Sequence, residues 1–313
     1  MSKTMHKAQQ CKACLDAGDS LAQVKARFIS DNQEWHRVSL MLYQQHFEQA
    51  RADRVRAERE RKKRGAFTHC DEIKDIIELN DALANFALGL PSFATMADFR
   101  KLKRLAESMP ANEAQTISFI DSIIMDTRLR ALQQQGRFEA FSAFKPLARY
   151  IEAAALAFYS GNVISAFLTL VPVIEGIILR WSGYQQGGKK LSFADLRTFF
   201  ARGHQRQPLP GNPLFYDVFS RVCAQIIDNH LFHPTGAGVS YAGFNRHLAA
   251  HMLSDGDFAT RDNCVRLFLL LDLMSELYYY EMRCEDPRFY PDNAGIAGKI
   301  RQYDAMKSIR ENI

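Results

Sequence analysis

Along most of the chain, apolar residues recur at three- and four-residue spacing, and strict alternation of apolar and polar positions is scarce. That pattern predicts an all-α protein. In the second half it places helices near 145–160, 162–182, 192–202, 213–231, 242–254 and 260–283. The intervening loops, 183–188, 207–211 and 234–243, collect Gly and Pro. Residues 65–135 predict two or three further helices, broken near Gly89-Leu90-Pro91 and at Met109-Pro110. In the first 64 residues, Asp19-Ser20 ahead of Leu21, Val24 and Phe28 is a helix-start signal, and Val38, Leu42 and Phe47 continue an apolar stripe. No internal repeat is evident. The composition turns to large apolar residues after Gln133–Gly136. The expected division is therefore an N-terminal helical region over 1–136, a helical bundle over 137–290, and a polar tail with a short docking helix over 291–313.

One stretch tests for a membrane span. Ala153 to Ile174 carries no formal charge and is long enough to cross a bilayer. Ser160-Gly161-Asn162 interrupts it, Ser165, Thr169 and Pro172 dilute it, and Glu152 and Glu175 bracket it. Two buried helices joined at Gly161 fit better than one span, so no membrane association is expected.

Composition narrows the class. Of 313 residues, 47% are hydrophobic and 24% charged, near the globular average, which excludes a wholly disordered chain. Six irregularly spaced Cys make no disulfide framework, and the polar start shows no secretory signal, so a reducing, cytoplasmic location is expected. The net charge of +5 is concentrated. Arg51–Arg64 holds eight Arg or Lys against three Asp or Glu, a surplus equal to that of the whole chain. This highly charged helix is either a solvated face laced with i,i+4 pairs or a phosphate-contacting surface. In the second reading Arg54, Arg59, Arg61, Lys62, Lys63 and Arg64 are candidate RNA contacts, and Lys189 and Lys190 in the glycine loop could face the same ligand.

Several motifs fall short. Gly183 to Lys190 nearly spells a P-loop, but Lys190 stands where Ser or Thr must hold magnesium, and a helix precedes it in place of a strand. Cys11-Lys-Ala-Cys14 lacks the second half of a zinc site. The segments 16–28 and 34–43 could form a helix-turn-helix but carry no specific signature. His247, His251 and Asp255 fall on one helical stripe that could hold zinc, yet Ser254-Asp255-Gly256 reads as the helix end. No metal or other cofactor is expected.

Four of nine His lie between positions 230 and 251. Their centre reads Phe244-Asn245-Arg246-His247-Leu248-Ala249-Ala250-His251. A guanidinium neutralises a phosphate with fixed bidentate geometry, and an imidazole moves a proton near neutral pH. Together they suffice for metal-free RNA cleavage, in which the 2′-hydroxyl is the nucleophile. Positions five apart differ by about 140° on an ideal helix, so Arg246 should sit at or just before a helix start. The plainer alternative is a buried polar pair in the core, satisfied by backbone or by Glu175. Glu175, a carboxylate on an otherwise apolar helix, needs a partner, and Arg180 and Arg149 are nearby choices. His230 and His233 close a helix, where His commonly meets the last carbonyls.

Residues 137–285 resemble the HEPN superfamily of helical-bundle ribonucleases. The likeness rests on Asn245-Arg246-His247 followed by His251, on the apolar helix from Val265 to Tyr280, and on Ala166 to Gly176 with its Pro172 and Glu175. It covers about half the chain. Met252 stands where many members carry Gly after the motif His. The resemblance implies an endoribonuclease, often of phage defence or toxin type, working as a homodimer with the site at the subunit interface. It implies His251 as proton carrier for the 2′-hydroxyl or the leaving 5′-oxygen and Arg246 on the charge of the phosphorane. His247 would be a second proton carrier or phosphate contact, with Asn245 and Glu175 orienting the group. A regulatory partner protein could hold it silent. The alternative is a non-catalytic helical adaptor or sensor that dimerises through the bundle and binds a partner or nucleic acid.

Overall fold

The computed structural model describes residues 3–31, 34–35, 37–39, 41–42, 69–184, 188, 191–234, 244–247 and 258–311. Among them every regular element is helical, as the apolar periodicity predicts. The chain forms two compact units, Met1–Asp75 and Ile76–Ile313.

In the first unit, α1 (Lys3–Asp16) and α2 (Leu21–Phe28) pack on each other. Ser20 caps α2 reciprocally with Gln23, the capping box that its sequence offers. Ala8, Cys11, Val24 and Val38 make a small buried core. Both cysteines of the CxxC lie on α1, and Cys11 is buried in that core. Arg54, Arg59, Arg61, Lys62, Lys63 and Arg64, with the rest of the charged segment, lie outside the described residues.

The chain then runs through α3 (His69–Ala84), α4 (Met96–Ala106), α5 (Glu113–Ile124) and α6 (Thr127–Gln133). These are four helices where two or three are expected. The extra break comes at Asp126, whose carboxylate accepts from the amides of Arg128 and Leu129 and starts α6 as an N-cap. A π-helical turn, Gln134–Phe138, prolongs α6.

A 3₁₀ turn (Lys145–Leu147) leads into α7 (Ala148–Tyr159), which pairs closely with α8 (Val163–Trp181). The two join at Gly161, whose φ of 87° only glycine adopts without strain, and Asn162 caps α8 by accepting from Ser165 N–H. By length and composition α8 is the one helix among those described that could cross a membrane. Ten of its residues, from Ala166 to Trp181, are buried against the rest of the second unit.

Next come α9 (Phe193–Thr198), the single turn α10 (Gly203–Arg206) and α11 (Pro213–Ile226), which ends in a π-helical turn, Ile227–Leu231. The spine of the unit is α12 (Arg261–Met282). It packs on α5, α8 and α11 and is buried on nearly every face, as its long apolar stretches favour, with Arg266, Asp272, Ser275 and Glu276 buried among them. The last helix, α13 (Asn293–Glu311), packs on α6 and α7.

The division at 136 does not coincide with the two compact units, because α3 to α6 share the core of the second. Their polar residues are tied into α12. Arg130 grips Asp272 at 2.6 and 3.0 Å, and Gln133 donates to Ser275 at 2.7 Å. Arg137, fully buried, bonds Asp286 at 2.6 Å and Glu276 at 3.2 Å, and Arg288 joins the same two carboxylates. Gly136 reads as a linker residue, yet it sits where a Cβ would meet the Arg288 backbone at 3.0 Å. The segment 291–313 is likewise more than a tail. It carries a full helix with Tyr303 and Ile296 buried, and its Lys299 bridges Glu139 and Glu152 at 2.8 and 2.7 Å.

Candidate functional site

The site is assembled where α8, α9 and the end of α11 meet the segment 244–247. The last turn of a helix leaves carbonyls without intrahelical donors. Asn245, only 1% exposed, adds a side-chain donor there. Its Nδ2 donates to the carbonyls of His233 at 2.8 Å and His230 at 3.3 Å, while its Oδ1 accepts from His247 N–H at 2.8 Å. An amide side chain that donates and accepts at once is required for this. Asn245 thereby staples the segment to the end of α11, with Phe244 buried beside it.

That staple presents Arg246 to Glu175 on α8. Their ion pair is 2.9 Å long, with the side chains 29% and 13% exposed. The nearby alternatives are engaged elsewhere: Arg180 donates to the Gly176 carbonyl at 3.0 Å, and Arg149 to the Tyr150 hydroxyl at 2.6 Å. The Arg246 guanidinium lies 5.8 Å from the ring centre of Phe193 and 6.0 Å from that of Phe232, within cation–π range of both.

Arg246, His247 and Glu175 open onto a pocket of about 360 Å³, which among the described residues is also lined by Leu191, Phe193 and Leu196. The apolar half follows from a local signal. Ser192 and Asp195 cap each other's backbone and start α9 with Phe193 as its first residue. There the residue is 41% exposed, although its ring touches buried Phe232. Sequence reasoning passes over this wall because an aromatic next to an apolar stripe reads as core. The capping box directly before it was the available clue.

His230 and His233 face away from this chemistry. The Nε2 of His230 meets the Ala84 carbonyl at 3.1 Å, and the Nδ1 of His233 meets that of Asp228 at 3.2 Å. Desolvation pushes the His230 imidazole below its ordinary pKa, with Arg266 and His233 adding repulsion and the Ala84 carbonyl opposing.

The structure thus brings Glu175, Asn245, Arg246 and His247 together. His251, Lys189 and Lys190 lie outside the described residues, as does Asp255 of the metal-type stripe. Among the described residues, no group of three His, Cys, Asp or Glu is arranged to hold a metal ion.

Comparison with family models, curated proteins and solved structures finds no match for this chain. What the site offers is therefore its own chemistry. A guanidinium is fixed by a carboxylate and flanked by two aromatic rings, an imidazole-bearing residue is next in the chain, and both open on a cavity that is polar on one side and apolar on the other.

Proposed function

We propose that this pocket is the catalytic cleft of a metal-independent endoribonuclease. The observation that carries the reading is that Arg246 and His247 open onto one cavity, on a segment whose path Asn245 fixes. The resemblance of Asn245-Arg246-His247 and His251 to the HEPN motif supplies the reaction class. A histidine base, His251 or His247, takes the proton of the 2′-hydroxyl. The 2′-oxygen attacks phosphorus, the bond from phosphorus to the 5′-oxygen breaks, and the second histidine returns a proton to that oxygen. Arg246 carries the charge that builds on the phosphorane, and Glu175 holds the guanidinium in place. The products are a 2′,3′-cyclic phosphate and a 5′-hydroxyl, with no cofactor. The partner is RNA, the working form a homodimer with the site at the subunit interface, the location cytoplasmic, and the role phage defence or toxicity under control of a partner protein.

The adaptor reading has one observation in its favour: Glu175 already satisfies Arg246, as a purely structural pair would. Incubation of the full chain with total RNA in EDTA separates the two, beside Arg246→Ala and His251→Ala. Cleavage to cyclic-phosphate ends by the parent, lost in both variants, is the expected result. Intact RNA with all three proteins, under every activating condition tried, leaves the adaptor.

A further inference from the structure

We infer that Phe193, with Leu191 and Leu196, forms a nucleobase subsite beside Arg246, so that the pocket takes a nucleotide whose base has left its stack. The inference rests on the RNA reading of the site and adds a substrate-binding residue that the Arg/His motif does not contain.

Three features of the pocket lead there. Its lining divides into an apolar wall of Leu191, Phe193 and Leu196 and a polar side of Glu175, Arg246 and His247. A nucleotide divides in the same way, with a flat π face joined to a phosphate. The exposed aromatic is the second feature. Phe193 keeps 41% of its surface open, while the ring that backs it, Phe232, is only 1% exposed and 5.8 Å away. A platform of this kind, exposed but rigidly supported, suits base stacking, which tolerates any base because every base has a π face. Size is the third. About 360 Å³ lies at the low end of ligand pockets, roughly 300–1,000 Å³, a size that suits one base and its phosphate. Bases inside a duplex are stacked and closed to such contact, whereas bases of single strands can be splayed onto an aromatic side chain.

The Arg246 guanidinium is 5.8 Å from the Phe193 ring centre, so phosphate and base of one nucleotide can reach both groups together. The Glu175 carboxylate, close to Arg246, disfavours a second phosphate on the same side. The subsite therefore holds one nucleotide in one orientation.

The test uses the full chain and a short 2′-O-methyl oligoadenylate, which offers no nucleophile and cannot be cut, beside the same backbone without bases. Binding is read by fluorescence anisotropy over a salt series, and folding by thermal melting. Phe193→Ala should weaken binding of the oligoadenylate about ten-fold, as loss of one stacking contact does. It should leave the salt slope unchanged and should not alter binding of the base-free backbone. Phe193→Trp should retain affinity, and Phe193→Leu, with apolar bulk but no π face, should not. Arg246→Ala should instead reduce the salt slope. Oligoadenylate affinity within two-fold of the parent in Phe193→Ala overturns the subsite, as does an equal loss on the base-free backbone. If the parent cuts ordinary RNA while Phe193→Ala binds and cuts normally, the subsite falls and the nuclease stands. If binding depends on Phe193 but nothing is cut, the subsite stands and the nuclease falls. No binding of either strand by the parent removes both.

Discussion

The carboxylate of Glu175 lies 2.9 Å from the guanidinium of Arg246, and both border the same pocket. The pair has two opposed effects. It fixes the orientation of a long side chain, and it sets a negative charge beside the place where, under the proposed function, a phosphate binds. Glu175→Gln separates them. Binding of a non-cleavable RNA strand should tighten, because a like charge is gone. Cleavage should fall about ten- to a hundred-fold, because a guanidinium without its anchor is misplaced. Anisotropy and single-turnover cleavage on the same variant read the two effects. Weaker binding together with unchanged cleavage would contradict both halves.

Asn245 makes a comparable distinction at the backbone. It donates to two carbonyls and accepts from one amide. Asn245→Asp keeps the acceptor and the shape but brings a carboxylate against the carbonyls of His230 and His233. It should cost about 1–3 kcal/mol of stability as the amide bonds from Asn245 to these carbonyls give way to repulsion. It should also abolish pocket function while the parent fold persists. Denaturant unfolding and circular dichroism check the first, and RNA binding the second. Asn245→Ala should cost a similar amount without the added repulsion.

Local order was legible wherever a short-range signal sets it. Gly161 joins α7 to α8, Ser20 starts α2, and the long apolar run of α12 gives a helix buried all round. Glu175 stood out because a carboxylate on an apolar helix needs a partner. Its partner was one of three choices, Arg246, Arg180 and Arg149; sequence proximity favours the last two, whereas tertiary packing delivers Arg246. The limits of the second unit were hidden for the same reason. Arg137 pairs with Asp286 across 149 positions of sequence, and no periodicity reports a contact of that range. Gly136, read as punctuation, is instead a close approach of two backbone segments. Phe193 was masked by its type, because an aromatic beside an apolar stripe reads as core until its exposure is known.

The buried pair of Arg130 and Asp272, each side chain 1% exposed, joins α6 to the spine of the unit. Arg130 also donates to the Ile124 carbonyl at 2.7 and 3.1 Å. Arg130→Met leaves the buried carboxylate of Asp272 without its ion-pair partner and should cost about 3–5 kcal/mol. Adding Asp272→Leu should recover roughly 2 kcal/mol or more, since no unpaired charge remains, although Ile124 still lacks its donor. Urea unfolding of the single and double variants measures this. A double variant as unstable as the single would place the loss in packing and not in charge.

The partly buried imidazole of His230 gives the fold a pH dependence whose sign follows from its surroundings. Desolvation lowers its pKa in the folded protein, and Arg266 and His233 push the same way, against the Ala84 carbonyl. The unfolded chain therefore takes up the proton first as pH falls through the ordinary value of about 6.5, and protonation favours unfolding. Stability contributed by neutral His230 is full above that value. It declines below it and levels off once pH passes the lowered folded value. His230→Gln keeps a donor for the Ala84 carbonyl but cannot take the charge. Melting curves between about pH 8 and 5 should show the parent losing more stability than this variant on the acid side. Parallel curves would mean that the imidazole is as easily protonated folded as unfolded.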